Sequence, residues 1–429
     1  MGEAVRGSGL MQPRIRRWLL TGLLVRLLVM PITAHGDLLA VYNRAYLVLG
    51  GQTVNGLGPN IFNKIHAVFL WSFKGLLPYS TMWEGFQSKT GIDFFGFVNQ
   101  TAVFRELFLF KLPYLIFEVL VVWMLLKLTN SDRSERVIAF WMLNPVVIFS
   151  SYVFGRFDMI TVFLLLLSLY FVRQEKPGLA LFMLGIAALL RVYPVILVLP
   201  FVLILDKSAV GRIRLGLIGL LPFLVSIFVG MVQVGGQLVK GFAAMPHLSY
   251  PLKMKFALSS QDSLYIFVFI YSLIMMYLYV NPKKGFTSLV EYSFYILLLF
   301  FATSSFHPHY LIWLAPFVTF YFDRPFFLPI YGVHLIGWMI LTFQFGSDLT
   351  THLVAPLSPA FFWAVISPSQ WIDRYYSSVQ VIGMGRSVFS ATCLIMAYLV
   401  WQRGLGRGST EAELKESDSE MVYEGAGSS

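Results

Sequence analysis

The sequence lacks features on which several classes of protein depend. It has one cysteine, Cys393, in an apolar run, so an intrachain disulfide and a multi-thiolate metal site are excluded. Only 13% of its 429 residues are charged whereas 57% are apolar, a larger apolar share than a soluble core needs. No basic run is interleaved with aromatic residues, so nucleic-acid binding is not expected. The composition predicts an all-α polytopic membrane protein.

Basic residues set the expected orientation in the membrane, because Lys and Arg are enriched on the cytoplasmic side. Four arginines within residues 6–17 precede the first apolar segment, which predicts a cytoplasmic N-terminus. The pattern predicts about ten crossings, a cytoplasmic C-terminus, and external segments at 35–105, 235–262 and 346–380. The predicted crossings are Trp18–Ala34, Leu107–Leu128, Val137–Phe154, Met159–Val172, Ile213–Val234, Ser263–Val280, Tyr292–Phe306, Tyr310–Phe322, Pro325–Phe345 and Val381–Trp401.

The two ends of the chain need separate interpretation. Trp18–Ala34 could also be a signal peptide, but Arg26 interrupts its apolar region and many spans follow it. From Gly404 onward the sequence is acidic and rich in Gly and Ser, which predicts a disordered cytoplasmic tail over 404–429. Residues 1–403 are expected to form one transmembrane domain, since neither an internal repeat nor a soluble domain is visible.

Residues 178–205 are apolar except for Arg191, and basic, polar segments flank them on both sides. If both flanks are cytoplasmic, the segment enters and leaves the membrane from one side. Pro194 predicts a break, because proline lacks an N–H and disfavours the α region at the preceding residue. Each arm then has about 13 residues, or about 20 Å, too short for a ~30 Å hydrocarbon core. A re-entrant helix pair is therefore predicted, with Arg191 and Tyr193 at an apex suited to binding an anionic group on a lipid.

Asp37 follows the first span directly, and residues 37–46 are typical of an interfacial helix. A carboxylate at the external membrane boundary can act as a general base toward a sugar or lipid hydroxyl. Alternatively, Asp37 caps the helix, because an aspartate after a glycine is a good helix start. The sequence leaves both interpretations open.

Two further external clusters carry polar side chains. Arg156 and Asp158 put a cation and a carboxylate at the external ends of two adjacent spans, where they could serve a substrate or form a local ion pair. His307 and His309 flank a proline, and two histidines at i and i+2 without an adjacent carboxylate make a poor metal site. Hydrogen bonding to a substrate or phosphate is the better interpretation, and no metal is predicted.

Arg26 and Glu118 are both expected within the membrane, where isolated charges are costly. Arg26 lies about nine residues from the inner end of its predicted span, and Glu118 about ten from the inner end of the next. Because their depths match, the two side chains can neutralise each other across the helix pair. A structural ion pair is favoured over a substrate contact.

Four segments together resemble the GT-C superfamily of polytopic glycosyltransferases, which use polyprenyl-phosphate sugars. The segments are His35-Gly36-Asp37, LNPVVIFSSYVFGRFD, ALLRVYPVILVLP and SFHPHYLIWLAPF, spread over about residues 18–320. The last three are similar to segments of mannosyltransferase-like bacterial and archaeal members. Two departures are visible: no Asp-x-Asp or Glu-x-Asp pair follows the first span, and Arg191 stands where many relatives have Lys.

The resemblance implies inverting sugar transfer on the external side of the membrane. Asp37 matches the acidic residue that acts as the catalytic base, and Asp158 is the second acidic candidate. The implied substrates are a polyprenyl-phosphate sugar, with mannose expected, and a lipid-linked or cell-envelope acceptor; no bound cofactor is expected. The plasma membrane is the expected location. The residues expected near the donor phosphate are Arg191, Tyr193, Arg156, His307 and His309.

Two other classes of protein remain open on the sequence alone. A transporter or lipid flippase also places charges at mid-membrane, and it would depend on Arg26 and Glu118 while tolerating changes at Asp37. An acyl- or phospho-group transferase would also use an external base. That class usually needs a His/Asp or metal constellation, which this sequence does not assemble.

Overall fold

The computed structural model describes residues 13–51, 61–77, 87–88, 91–234, 249–282 and 285–424, and these are mainly helical. Two small antiparallel hairpins join Gln87–Ser88 (β1) to Gly91–Ile92 (β2) and Lys255–Ala257 (β3) to Ser263–Tyr265 (β4). The helices are α1 (Pro13–Ile32), α2 (Gly36–Leu49), α3 (Ile61–Ser72), α4 (Phe94–Val98), α5 (Val103–Leu128), α6 (Ser134–Met142), α7 (Pro145–Ile148), α8 (Asp158–Arg173), α9 (Pro177–Leu190), α10 (Val195–Leu205), α11 (Ala209–Val234), α12 (Ile266–Val280), α13 (Phe286–Thr303), α14 (Ala315–Tyr321), α15 (Phe327–Thr342), α16 (Pro359–Ala364), α17 (Pro368–Ile372) and α18 (Ser378–Glu424).

Helices of membrane-spanning length are the main elements of the fold. Among the described residues, five are long and apolar enough to cross a membrane, or up to seven if each of two bent helix pairs is one span. This confirms the predicted all-α polytopic membrane protein, whereas the predicted ten crossings stay a prediction. The helix α18 continues past Gly404, and both the domain boundary there and the disorder of the tail also stay predictions. The five helical segments are Val103–Leu128, Ala209–Val229, Phe286–Thr303, Phe327–Phe345 and Ser378–Gln402.

One predicted crossing, Tyr310–Phe322, is not a single helix in the structure. A 3₁₀ segment, Pro308–Trp313, is followed by the seven-residue helix α14. Prolines near the start of each piece favour a new helical start rather than a continuous helix, because proline lacks the N–H that an interior position donates. Neither piece approaches the ~20 residues that a crossing needs.

The segment predicted to be re-entrant forms two short helices, α9 and α10, separated at residues 191–194. Both helices pack on α11 through small residues. Gly178, near the start of α9, faces Ile218 of α11, and Gly185, about two turns later, faces Pro222, so α9 runs parallel to α11. Val198 of α10 faces residue 219 of α11, and Val202, one turn later, faces residue 216, so α10 runs antiparallel to α11. The two helices therefore run in opposite directions, and their apex lies at Arg191.

Broken helices bring several polar side chains together in a partly exposed site, here called the cleft. The axes of α1 and α2 differ by 78°, so α2 turns away from the span that precedes it. After α7 the chain forms a π-helical turn, Phe149–Val153, and Gly155 then adopts a φ of +79°, a conformation that favours glycine. Non-helical backbone of this kind occurs at membrane depth where it is buried in protein or lines a cavity.

Arg26 and Glu118 are both buried and face each other between α1 and α5. The guanidinium donates from two nitrogens to the two carboxylate oxygens, each at 2.6 Å. It also donates to the carbonyl oxygen of Met142 at 2.7 Å. The carboxylate accepts two further hydrogen bonds, from the Trp141 indole at 2.9 Å and from the Tyr152 hydroxyl at 2.5 Å. The pair is therefore part of a network that ties α1 to α5 and α6.

Arg26→Met alone is expected to lower the free energy of unfolding by about 3–5 kcal/mol, because it leaves Glu118 buried without its cation. Adding Glu118→Leu should restore only part of this loss, since Trp141 and Tyr152 then lose their acceptor. Unfolding curves of the wild type, both single variants and the double variant would measure the coupling. Additive losses would show that the two charges do not stabilise each other.

Candidate active site

Four separate chain segments converge on one cleft at the ends of the broken helices. They are the start of α2, the turn between the π-helical segment and α8, the apex between α9 and α10, and the 3₁₀ segment after α13. Ring contacts, ion pairs and hydrogen bonds connect these segments, whereas Arg26 and Glu118 belong to the separate network between α1 and α5. The predicted site residues in the cleft are Asp37, Arg156, Asp158, Arg191, Tyr193, His307 and His309.

Asp37 lies in the first turn of α2 with 43% of its side chain exposed. The alternative that Asp37 caps this helix is wrong, because His35 is the N-cap residue and its Nδ1 accepts from the Asp37 amide at 3.0 Å. The nearest charged partner of the carboxylate is Arg156, with 3.5 Å between Nη1 and Oδ2. The carboxylate is therefore held next to a cation while remaining accessible from the cleft.

The ionisation of Asp37 is set by opposing effects. Burial raises the pKa of its carboxyl group, but Arg156, then His35, His307 and Arg191, together hold the pKa below its usual value. Burial lowers the pKa of His35 to about 4 and that of His307 to about 3. At neutral pH the cleft therefore presents an ionised Asp37 beside uncharged imidazoles.

Asp158 is fully buried and accepts three hydrogen bonds. Arg191 donates to both of its oxygens at 2.7 Å, and the Trp313 indole donates to Oδ1 at 2.8 Å. Arg191 in turn lies over the rings of Phe157 and Tyr310, at 4.4 Å and 5.2 Å. Asp158 therefore binds Arg191 at the apex through both of its oxygens. Of the two cleft carboxylates, Asp37 is the exposed one.

Aromatic rings form the wall that joins the four segments. Phe154 stacks on His35 with ring centroids 4.0 Å apart and on His309 at 4.4 Å. The two histidines of the 3₁₀ segment share one Nδ1···Nδ1 hydrogen bond of 2.7 Å. Tyr193 stacks on Trp313 at 3.8 Å. The wall is therefore built from rings that also carry hydrogen-bonding atoms.

Three of the residues predicted near the donor phosphate carry a buried polar atom that lacks a hydrogen-bond partner. Within the described part of the chain, these atoms are Arg156 Nε, the Tyr193 hydroxyl and His309 Nε2. Buried polar groups in native proteins are nearly always satisfied, so these three atoms have hydrogen-bonding capacity that a ligand in the cleft could use.

Arg44 adds a third cation to the cleft. It lies seven residues after Asp37, two helical turns along α2, so both project from the same face about 10 Å apart. Burial and the neighbouring Arg156 lower its pKa, which Asp37 partly offsets. No carboxylate forms an ion pair with Arg44 in the described ranges.

The cleft also contains residues that the sequence did not single out. Trp313 and Tyr310 lie inside the SFHPHYLIWLAPF segment, so their position near the histidines was a usable signal. Arg44 lies on the interfacial helix, and a cation there was a second signal. Phe154 and Phe157 lie inside the LNPVVIFSSYVFGRFD segment, but their residue type gave no signal of its own, because aromatic residues are abundant throughout this chain. Among the residues that the structure describes, no three His, Cys, Asp or Glu side chains are placed to hold a metal ion.

The sequence model of Glycosyltransferase family 87 matches residues 104–280. The chain is a glycosyltransferase. The matched segment is less than half of the chain; it carries Arg156, Asp158, Arg191 and Tyr193, while Asp37 and both histidines lie outside it. No curated protein and no solved structure matches the enzyme. The match is consistent with the predicted GT-C type and with a membrane enzyme, and it favours an enzyme over a transporter or flippase.

Proposed function

We propose that the enzyme transfers mannose from a polyprenyl-phosphate donor to a lipid-linked or cell-envelope acceptor, with inversion at the anomeric carbon. The observation that carries the proposal is the accessible Asp37 carboxylate beside Arg156 in a cleft with excess positive charge. The choice of a polyprenyl-phosphate donor and of mannose rests on the resemblance of the cleft segments to the GT-C superfamily. The proposed location is the external face of the plasma membrane, with both termini in the cytoplasm, as the distribution of basic residues indicates.

The charges of the cleft suit a donor with one negative charge. Arg156 contacts Asp37 and Arg191 is paired with Asp158, whereas Arg44 has no carboxylate partner among the described residues. Among these five residues, three cations and two carboxylates leave one positive charge in excess, and Asp348, which acts on His35, is 77% exposed. A polyprenyl-phosphate sugar is a phosphodiester with a single negative charge, so its binding would neutralise the cleft.

The unsatisfied polar atoms support the same ligand. Arg156 Nε and the Tyr193 hydroxyl are donors, and the oxygens of a phosphate would accept from both. Arg–phosphate hydrogen bonds are among the stronger ones in proteins because both partners are charged. A donor bound in this way would place its phosphate near the apex and leave its anomeric carbon facing Asp37.

In the proposed step the acceptor hydroxyl oxygen attacks the anomeric carbon as the bond from that carbon to the phosphate oxygen breaks. Asp37 takes the hydroxyl proton, and the electron pair of the broken bond goes to the departing polyprenyl phosphate. Arg191 and Arg156 stabilise the charge that develops on this phosphate, an electrostatic contribution that is often the largest in catalysis. These fixed cations make the proposed step independent of a metal.

Donor binding would also make Asp37 a better base. Arg156 is the largest of the charges that lower the pKa of Asp37. A bound phosphate would share that guanidinium, so the pKa of the carboxyl group would rise toward the range in which a general base works at neutral pH. Proton transfer is thereby tied to the presence of the donor.

Incubation of the purified enzyme with a panel of radiolabelled polyprenyl-phosphate sugars and membrane lipid acceptors tests the proposal. Polyprenyl-phosphate mannose should be consumed, with label appearing in a lipid or glycan product, and a chelator should not reduce the rate. Consumption of nucleotide sugars instead would contradict the donor class. Movement of lipid across vesicles without transfer of label would favour a flippase.

A further inference from the structure

Lys111 lies in the middle of the apolar helix α5 and is fully buried, yet it is not part of the cleft wall. Its ammonium donates to the carbonyl oxygens of Met30 at 2.9 Å and Thr33 at 2.5 Å. It also donates to the Thr33 hydroxyl at 2.8 Å. The lysine therefore satisfies carbonyl groups at the end of α1, which have no partner within that helix.

Three oxygen atoms surround the amino nitrogen of this side chain. Only a protonated lysine has three N–H donors, and the three oxygens around Nζ use all of them. No carboxylate forms an ion pair with Lys111 within the described ranges. The carbonyl end of α1, which carries partial negative charge, takes the place of a counter-ion.

Lys111 is the outer of two polar connections between α1 and α5. Along α1, Thr33 lies seven residues after Arg26, and along α5, Glu118 lies seven residues after Lys111. Because the helices are antiparallel, the Arg26–Glu118 pair and the Thr33–Lys111 contact lie about 10 Å apart on facing sides. The inner connection, Arg26–Glu118, joins the two helices within the membrane. The outer connection, Thr33–Lys111, holds the end of α1 four residues before Asp37.

The same lysine supports the segment that carries Arg156. A methyl group on Gly155 would lie 3.3 Å from Cε of Lys111 and 3.0 Å from Cδ2 of Leu38. Gly155 directly precedes Arg156, and Leu38 directly follows Asp37. Lys111 therefore binds carbonyl oxygens seven and four residues before Asp37 and lies beside Gly155, one residue before Arg156, without touching either member of the Asp37–Arg156 pair.

We propose that Lys111 is a positioning residue, which holds the Asp37 carboxylate at contact distance from Arg156 by fixing the end of α1 beneath them. This inference rests on the proposed function, because it takes Asp37 to be the base. The titratable groups that face Asp37 are the cations Arg156 and Arg191 and the imidazoles of His35 and His307, with Arg44 on the same helix. Of these groups, Arg156 and His35 lie within two residues of positions beside Lys111, and Arg156 is the cation among them.

Lys111→Met should lower kcat by about 10- to 100-fold, the scale on which small displacements of a catalytic group reduce rates. The donor KM should change less than kcat, since the Arg191–Asp158 pair and Tyr193 still bind the donor when the position of Arg156 is loosened. The acid limb of the kcat/KM profile should move to higher pH. Loosening the contact with Arg156 removes the largest charge that lowers the pKa of Asp37, so protonation of the base begins at a higher pH.

The matched control is Arg26→Met with Glu118→Leu, which removes the inner connection between the same two helices. It should lower stability and leave the acid limb in place. Thr33→Val, which deletes one of the three acceptors, should shift the limb in the same direction as Lys111→Met, and Thr33→Ser should restore it. If Lys111→Met does not fold, the acid limbs of the Thr33→Val and Thr33→Ser variants still test whether this contact positions Asp37.

A lower kcat with an unmoved acid limb in both Lys111→Met and Thr33→Val would overturn the positioning role. Equal shifts in the Arg26/Glu118 control would overturn it as well, because loosening of the helix pair would then be sufficient. Failure of the proposed function is a different result, since the wild-type enzyme would then consume no polyprenyl-phosphate sugar.

Discussion

Asp37→Asn is expected to lower transfer by about 10²- to 10⁴-fold, the usual cost of removing a general base. The substituted amide keeps the size of the side chain but does not take a proton at neutral pH. Folding should be preserved, because His35 rather than Asp37 caps α2. The substitution loses the favourable charge at the helix start, about 0.3–1 kcal/mol, and the charge that faces Arg156. Donor binding should persist, since Arg191 and its partners are unchanged.

Single-turnover transfer and donor binding, measured on the same preparation, separate these effects. Asp348→Asn is the matched control, because that carboxylate lies in the predicted external segment 346–380, is 77% exposed, and acts on His35 and His352 rather than on Asp37. The control should transfer at nearly the wild-type rate. Transfer above about a tenth of the wild-type rate in Asp37→Asn would show that Asp37 is not the base.

The pH dependence of kcat/KM is a second test of Asp37 as the general base. The base must be ionised, so kcat/KM of the wild type should fall as the pH drops through the pKa of Asp37, which is held below its usual value. Activity is therefore retained above that pKa and lost below it. The residual activity of Asp37→Asn should show no such acid limb.

Arg191→Met is expected to reduce both stability and donor binding. It leaves Asp158 buried without a cation, and breaking a buried pair in this way lowers the free energy of unfolding by about 3–5 kcal/mol. Loss of one charged hydrogen-bonding partner should weaken donor binding by about 10- to 100-fold, which corresponds to ~1.5–3 kcal/mol. The two losses have different origins, so a second substitution can separate them.

Asp158→Asn in the Arg191→Met background removes the buried charge and keeps an oxygen that accepts from Trp313. Much of the unfolding free energy should return, while donor affinity and transfer should stay low. Unfolding curves and equilibrium binding of polyprenyl-phosphate sugar would measure the two properties. Recovery of transfer together with stability would show that Arg191 serves the fold alone.

The sequence predicts the local features of the site well. Pro194 places the break between α9 and α10 correctly, because proline affects its own position and the one before it. The interfacial helix predicted over 37–46 is found as α2. Local sequence did not identify the cap of that helix, because histidine is not among the residues that commonly occupy an N-cap.

Long-range pairing could not be predicted in the same way. Asp158 and Trp313 are 155 residues apart, and nothing in the periodicity of either segment relates them. Lys111 is different, because a lysine inside an apolar helix is itself a sign of a functional or structural role. Its acceptors are backbone carbonyl groups, which every residue carries, so the sequence does not show where it binds.

The buried Arg26–Glu118 pair has a consequence for how the chain enters the membrane during synthesis. Arg26 is made 92 residues before Glu118, an interval of roughly 5 to 20 s at ordinary rates of translation. Through that interval the arginine of the first span has no carboxylate, and a lone arginine at the centre of a helix makes insertion unfavourable by ~2.5–3.5 kcal/mol. The first span is therefore expected to wait in a protein-lined, hydrated site of the insertion machinery and to enter the lipid together with α5.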